Sequence, residues 1–297
     1  MNAPIAFFAF NRPDALQRLL DSLHVNPEYA ASEKFFFIDG PRNKEEETAV
    51  NRCIEIARKE GGKVISSPTN KGLARNIIEG ISEVLKNHDS VIVLEDDLVL
   101  APGFMKFMNV GLERFKEDSR IISICGYGLK IKKPADYPYD IYLSNRSSSW
   151  GWGTWADRWN EIDWDIADWV KFSSNCKEIK SFCKAGSDMF SMLKGYMTGR
   201  NNSWAIRFCY SQWRHSLYSV HPFRSLADNR GFGEEASNCR QKYSRFKTEQ
   251  DLRQAPEFNW PNPTTHLTPS PSILQQLRRY HSIPRRLYSR MRKLLNI

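Results

Sequence analysis

The chain has 297 residues, 41% of them hydrophobic, and no apolar run reaches the roughly 18 residues of a membrane-spanning helix, so it reads as a globular protein with a sizeable core. Its formal charge of +9 calls for an anionic partner without choosing among nucleic acid, a lipid surface and a phosphate-bearing substrate. Six cysteines without a C-x-x-C pair give neither a zinc knuckle nor a disulfide framework, and the short apolar run Ala3 to Phe10 lacks the flanks of a signal peptide, so the expected location is cytoplasmic.

Strand-like and helix-like patterns alternate through the first 125 residues, the signature of βα units around a mainly parallel sheet. Pro4 to Phe10 is a continuous apolar run, as a strand covered on both faces requires. Pro13 then opens a helix whose apolar side is Leu16, Leu19, Leu20 and Leu23. A strand over Lys34 to Ile38 leads to a helix facing the core with Val50, Cys53, Ile54 and Ala57. A short strand over Lys63 to Ser66 precedes a helix marked by Leu73, Ile77, Ile81, Val84 and Leu85. The apolar strand Ser90 to Leu94 runs into Glu95-Asp96-Asp97, and a helix from Pro102 to Phe115 and a strand from Arg120 to Cys125 close this half. Beyond Tyr127 the periodicity weakens. Ser147 to Trp155, rich in Ser, Gly and Trp, reads as a segment lining a site rather than a core layer.

Three consecutive acids ending an apolar strand repel one another and lose solvation, so a compensating cation is expected there. Mn²⁺ or Mg²⁺ suits the position, because such ions take one or two carboxylates from protein and complete their shell with phosphate and water. A solvated acidic turn is the alternative. Context favours the metal, since Phe10-Asn11-Arg12 and Asp39-Gly40 end the first two strands and converge on the same edge as Glu95, Asp96 and Asp97. Arg12 is then suited to a pyrophosphate, Asp39 to a base N–H, and Lys71 and Arg75 add donors at the next helix start. Together they point to a nucleotide diphosphate.

The runs Ile5 to Arg12, Phe37 to Gly40 and Val91 to Phe104 resemble the nucleotide-sugar half of N-acetylglucosaminyltransferase I and its relatives in bacterial polysaccharide clusters. Those relatives also share a block like Ser149 to Trp155 and a loop like Gly231-Phe232-Gly233, so the likeness covers roughly residues 4 to 240. It implies a GT-A (Rossmann-like) α/β fold: a mixed, mainly parallel sheet flanked by helices. Residues 1–125 would form the nucleotide-sugar-binding half, 126–258 the acceptor-binding half of the same domain, and 259–297 a linker and basic amphipathic tail. The implied activity is inverting, metal-dependent transfer from a nucleotide-sugar donor, with UDP the expected nucleotide, to a saccharide acceptor. It assigns the metal bond to Asp97, the ribose and donor sugar to Asp96 and Glu95, the uracil to Asp39 and the diphosphate to Arg12.

The likeness breaks at one point: where the relatives carry Ser-Trp-Asp with the catalytic base, this chain has Ser203-Trp204-Ala205. Alanine takes no proton. Either the chain is inactivated, engineered or naturally, and binds nucleotide sugar only, or another acid such as Asp228, Glu234 or Glu235 serves. His221 and His266 are lone histidines that carry no metal assignment.

On the acceptor side, Trp150, Gly151 and Trp152 suit a sugar platform, because aromatic faces stack on sugar C–H faces; a helical core is the other reading for Trp152 and Trp155. Prolines between Asn259 and Pro271 suggest a linker. Leu277, Tyr280, Ile283, Leu287, Met291 and Leu294 then follow at helical spacing among arginines, which fits an interfacial helix over residues 278–297 on an anionic membrane, at the inner face of the cell membrane, with a lipid-linked acceptor; docking on the body competes. A nucleotidyltransferase would need a Gly-rich triphosphate loop that is not seen, and a basic nucleic-acid binder has only charge in its favour.

Overall fold

The computed structural model describes all residues except 1, 232–245, 255, 263 and 296–297, and of residues 293–295 only the backbone. In chain order it contains β1 (Ile5–Ala9), α1 (Pro13–His24), β2 (Lys34–Ile38), α2 (Glu47–Lys59), β3 (Lys63–Ser66), α3 (Leu73–Val84), β4 (Ser90–Glu95), β5 (Leu98–Leu100), α4 (Phe104–Arg114) and β6 (Ile121–Cys125). Then come β7 (Ile141–Ser144), β8 (Trp152–Trp155), α5 (Ala156–Asn160), α6 (Trp169–Ser173), α7 (Cys176–Phe182), α8 (Met189–Met197), α9 (Trp204–Arg214), β9 (Tyr218–Pro222), β10 (Ala227–Asn229), α10 (Pro271–Tyr280) and α11 (Ile283–Leu295).

An eight-stranded sheet in the order β3-β2-β1-β4-β8-β6-β9-β7 forms the centre. β1 pairs in parallel with β2 on one side and β4 on the other, so the chain reverses its direction of sheet growth at β1. Such a switch point opens a crevice at the carboxyl ends of the flanking strands. The run predicted as a doubly covered strand is buried along its length in β1, as is β6, and Phe7 stacks on Phe36 across β1 and β2 at 4.4 Å. Helices α1, α2 and α4 cover one face with Leu16, Leu19, Cys53, Phe104 and Met108; α3 and α9 cover the other with Ile77, Ile81, Trp204 and Phe208.

Three expectations change. The Ser-Gly-Trp segment does contribute a core layer: β8 lies between β4 and β6, antiparallel to both, with Ile92 opposite Gly153. Residues three apart on a strand face opposite sides, so Trp152 joins Trp159, Trp204 and Phe208 while Trp155 enters the other core and donates its indole N–H to the Leu112 carbonyl. The proline-rich stretch is packed along the body: Trp260 lies against Phe107, Arg114 donates to the Pro261 carbonyl and Arg120 to that of Leu267. Finally, the apolar side predicted for the tail splits. Ile273, Leu277 and Tyr280 of α10 are buried against Tyr127, Leu129 and Tyr142, whereas Ile283, Leu287 and Met291 of α11 are 59%, 53% and 54% exposed. Among the described residues no helix is long and apolar enough to cross a membrane.

Candidate functional site

A crevice opens at the switch point, lined by Phe10, Asn11, Arg12, Asp39, Glu95, Asp96 and Asp97, together with Arg42, Asn70, Gly72, Asn76 and Gly231. Each predicted member sits within a few residues of a strand's carboxyl end, which is how residues far apart in the chain come to face one another.

Arg12 bridges to Asp96, and its guanidinium lies 3.7 Å from Asp97 Oδ2. Burial raises the proton affinity of all three acids. For Glu95 the neighbouring carboxylates add to it; for Asp96, pushed up to about 7, Arg12 offsets part of the rise; for Asp97, Arg12 and Asn229 do so. One guanidinium therefore stands among the buried Asp96 and the half-buried Glu95 and Asp97, an excess of negative charge that a hard divalent cation would relieve. Among the described residues no three His, Cys, Asp or Glu side chains form a closed cage.

Asp39 is buried and heavily used. Its Oδ1 accepts from the N–H groups of Gly40 and Lys71 at 2.9 and 2.8 Å, and its Oδ2 from that of Gly72 at 2.9 Å. It thereby folds the loop before α3 against the crevice floor. Gly40 is required here, because a Cβ would stand 2.5 Å from the Thr69 backbone. The side chains of Lys71 and Arg75 do not line the crevice; both turn outward to Glu79, at 2.8 and 2.6 Å, because that carboxylate is within one or two helical turns of each. Arg42, which the sequence reading passed over, lies over the Phe10 ring and pairs with Glu46, which also accepts from Asn11.

Because β8 runs antiparallel, its amino end lies at the same sheet edge as the carboxyl ends of β4 and β6. A second cavity opens there, lined by Trp150, Tyr127, Arg146, Ser147 to Ser149, Met189, Met192, Ala205, His221, Phe246 and His281. Ala205 stands in the first turn of α9, whose cap Ser203 accepts from the Ile206 N–H at 3.3 Å. Trp150 is half-buried with its ring against Tyr127.

Trp152 cannot share that role: it is fully buried and stacks on Trp204 at 5.1 Å. Gly151 is buried as well; it adopts φ +65° to turn the chain into β8, and a Cβ would meet Phe104 at 2.8 Å. Asp228 pairs with Val99 in the β5–β10 ribbon and with Arg230 at 2.7 Å, and it lines neither cavity. Glu234 and Glu235 lie outside the described residues. His221 is buried, its ring nitrogens facing the Tyr127 and Arg146 carbonyls at 2.9 and 3.2 Å, while His266 is exposed. Arg146 is held by a bidentate pair with Asp188, at 2.9 and 3.0 Å. His281, from the end of α10, accepts on its carbonyl from the N–H and hydroxyl of Ser187, so the tail supplies a wall of this cavity.

A sequence profile of the family described as Glycosyl transferase family 2 matches residues 5–168. The chain is 24% identical over 194 residues to alpha-1,3-mannosyl-glycoprotein 2-beta-N-acetylglucosaminyltransferase of Arabidopsis thaliana, covering 59% of this chain and 43% of that protein. In three dimensions it is similar to GalNAc-T7, solved with UDP, GalNAc and Mn²⁺, at a TM-score of 0.51 and 11% identity, over 80% of this chain and 45% of the other. The chain thus spans less than half the length of either relative. The likeness is one of fold, and that fold is the GT-A arrangement expected from the sequence.

Proposed function

The chain belongs to glycosyl transferase family 2, and on that premise we propose that it handles a UDP-linked sugar donor in the crevice at Asp97 and a saccharide acceptor in the cavity at Trp150. The observation that carries the proposal is their juxtaposition: a crevice with an excess of negative charge and an aromatic cavity open on one edge of the same sheet. A divalent cation bound at Asp97, Mn²⁺ or Mg²⁺, supplies charge neutralisation for the departing diphosphate. Asp97 presents its carboxylate to that ion, Arg12 stands beside it for the diphosphate, and Asp39 shapes the loop that receives the base. Trp150 offers its ring to the acceptor. Transfer with inversion needs a carboxylate to take the acceptor's proton as it attacks, and position 205 faces the cavity where such a group would work. Alanine there supports a reading in which the chain as it stands binds donor and turns over slowly or not at all.

The same proposal holds the acceptor to be lipid-linked, in bacterial surface polysaccharide synthesis at the inner face of the cell membrane. Support comes from α11, whose exposed Ile283, Leu287 and Met291 are interleaved with Arg285, Arg286, Arg290 and Arg292. We narrow the membrane contact from residues 278–297 to α11, because α10 is docked on the body.

The test is a thermal-shift screen of nucleotide sugars with Mn²⁺ or with EDTA. A ligand at about 100 times its Kd stabilises by about 2.7 kcal/mol, so a UDP-sugar should raise the Tm markedly more with the metal than with EDTA. No stabilisation by any nucleotide sugar would sink the proposal. Vesicles containing anionic lipid should retain the full chain and lose the chain ending at Ser282; equal retention removes the membrane contact alone.

A further inference from the structure

The two-stranded ribbon of β5 and β10 places Asn229 opposite Leu98, one residue beyond Asp97. Asn229 Nδ2 donates to Asp97 Oδ1 at 3.0 Å, while its own Oδ1 accepts from the Gly231 N–H at 2.8 Å. The Arg230 N–H donates to the Asp97 carbonyl at 2.7 Å, so backbone and side chain of Asp97 are both tied to this strand. Such ties matter because a carboxylate rotates freely about its last torsion, and Arg12, already bonded to Asp96, stands only 3.7 Å from Asp97 Oδ2. Left untied, Asp97 would turn both oxygens toward the guanidinium, which has donors to spare for a forked pair.

We propose that Asn229 is a positioning residue that pins Asp97 Oδ1, so that Oδ2 stays directed at the crevice for a divalent cation and Arg12 stays with Asp96. The oxygen's approach is kept clear by Gly231, where a Cβ would come within 2.5 Å of Oδ2 and 3.0 Å of Asn229 Oδ1. Outer partners of this kind typically change metal affinity by 10- to 100-fold. The inference rests on the proposed metal dependence of the crevice.

The experiment measures Mn²⁺ affinity of the full chain by the free-ion electron paramagnetic resonance signal, and UDP affinity in EDTA by calorimetry. Asn229→Ala should weaken Mn²⁺ binding about 10- to 100-fold and leave UDP affinity in EDTA unchanged. In an Arg12→Gln background the same substitution should cost much less, since the competing guanidinium is gone, and this non-additivity is the mark of a shared contact. Gly231→Ala, which leaves the Asn229 donor in place, should also weaken Mn²⁺ selectively. Unchanged Mn²⁺ affinity in Asn229→Ala, an equal loss of Mn²⁺ and UDP binding, or additivity with Arg12→Gln would overturn the inference. Failure of the unsubstituted chain to bind Mn²⁺ would instead overturn the metal reading beneath it.

Discussion

The crevice at Asp97 and the cavity at Trp150 share one sheet edge but are made of different material. The first is assembled mainly from short segments that follow β1, β2, β3 and β4, with Gly231 beyond β10, and beside Phe8, Phe10 and Leu73 it presents charged and amide side chains held by a dense set of hydrogen bonds. The second draws on the segments after β6 and before β8, on the end of β7, and on α8, α9, β9 and the end of α10, and apolar rings and methionines dominate its lining. Under the proposed assignment the contrast teaches that binding a charged donor would need a few groups fixed at strand ends, whereas recognising an acceptor would fall to surfaces that many elements build jointly.

If that division is right, restoring chemistry requires a change only on the cavity side. Ala205→Asp should raise the rate of UDP release from a UDP-sugar with acceptor by about 10²- to 10⁴-fold, the usual contribution of a general base, with donor affinity unaltered. A weakened donor affinity, or no gain in rate, would break the comparison. The two tryptophans sharpen it next. Trp152→Ala should cost about 3–5 kcal/mol in urea unfolding, because it empties a fully buried site. Trp150→Ala should cost less than half of that and weaken acceptor binding; equal destabilisation would show that both belong to the core.

A smaller effect separates the regions by pH. Asp96 in the fold holds its proton up to about 7, burial being the larger cause and Arg12 the offset, against about 3.9 in an unfolded chain. The folded state thus binds the proton more tightly, and this contribution to stability, present below about pH 4, is lost as pH rises toward 7. In EDTA, unfolding free energy should fall by up to about 1 kcal/mol per pH unit over that range, and less in Asp96→Asn. A rise with pH in that comparison would contradict the charge excess assigned to the crevice. Smallest of all, Lys71→Ala and Arg75→Ala each break an exposed pair with Glu79 and should change stability by less than about 1 kcal/mol and UDP affinity hardly at all.

The donor side was legible because its signals are local. Apolar runs gave the strands, and Arg12, Asp39 and Asp97 follow them directly, so convergence at one edge came with the βα pattern. Trp152 was misread because a strand buried on both faces shows no alternation, and the flanking serines and glycines look like a loop. Asn229 carried no signal at all: β5 and β10 are three residues each, too short for periodicity, and the contact depends on their pairing. Lys71 and Arg75 stand at a suitable position, but Glu79, one turn or two away, claims their charge.

The docking of α10 bears on how this protein would be trimmed for production. A basic tail after a run of prolines invites deletion to improve solubility, and a cut before Pro271 follows the sequence's own punctuation. That cut would remove His281 and strip Ile273, Leu277 and Tyr280 from Tyr127 and Tyr142, leaving the acceptor cavity with a missing side. Ending the chain after Ser282 would discard the arginine-rich α11 and keep the cavity whole. The unit that encloses the proposed acceptor cavity therefore extends past the prolines, and a shortened protein that binds UDP yet ignores every acceptor would reflect where it was cut rather than what it recognises.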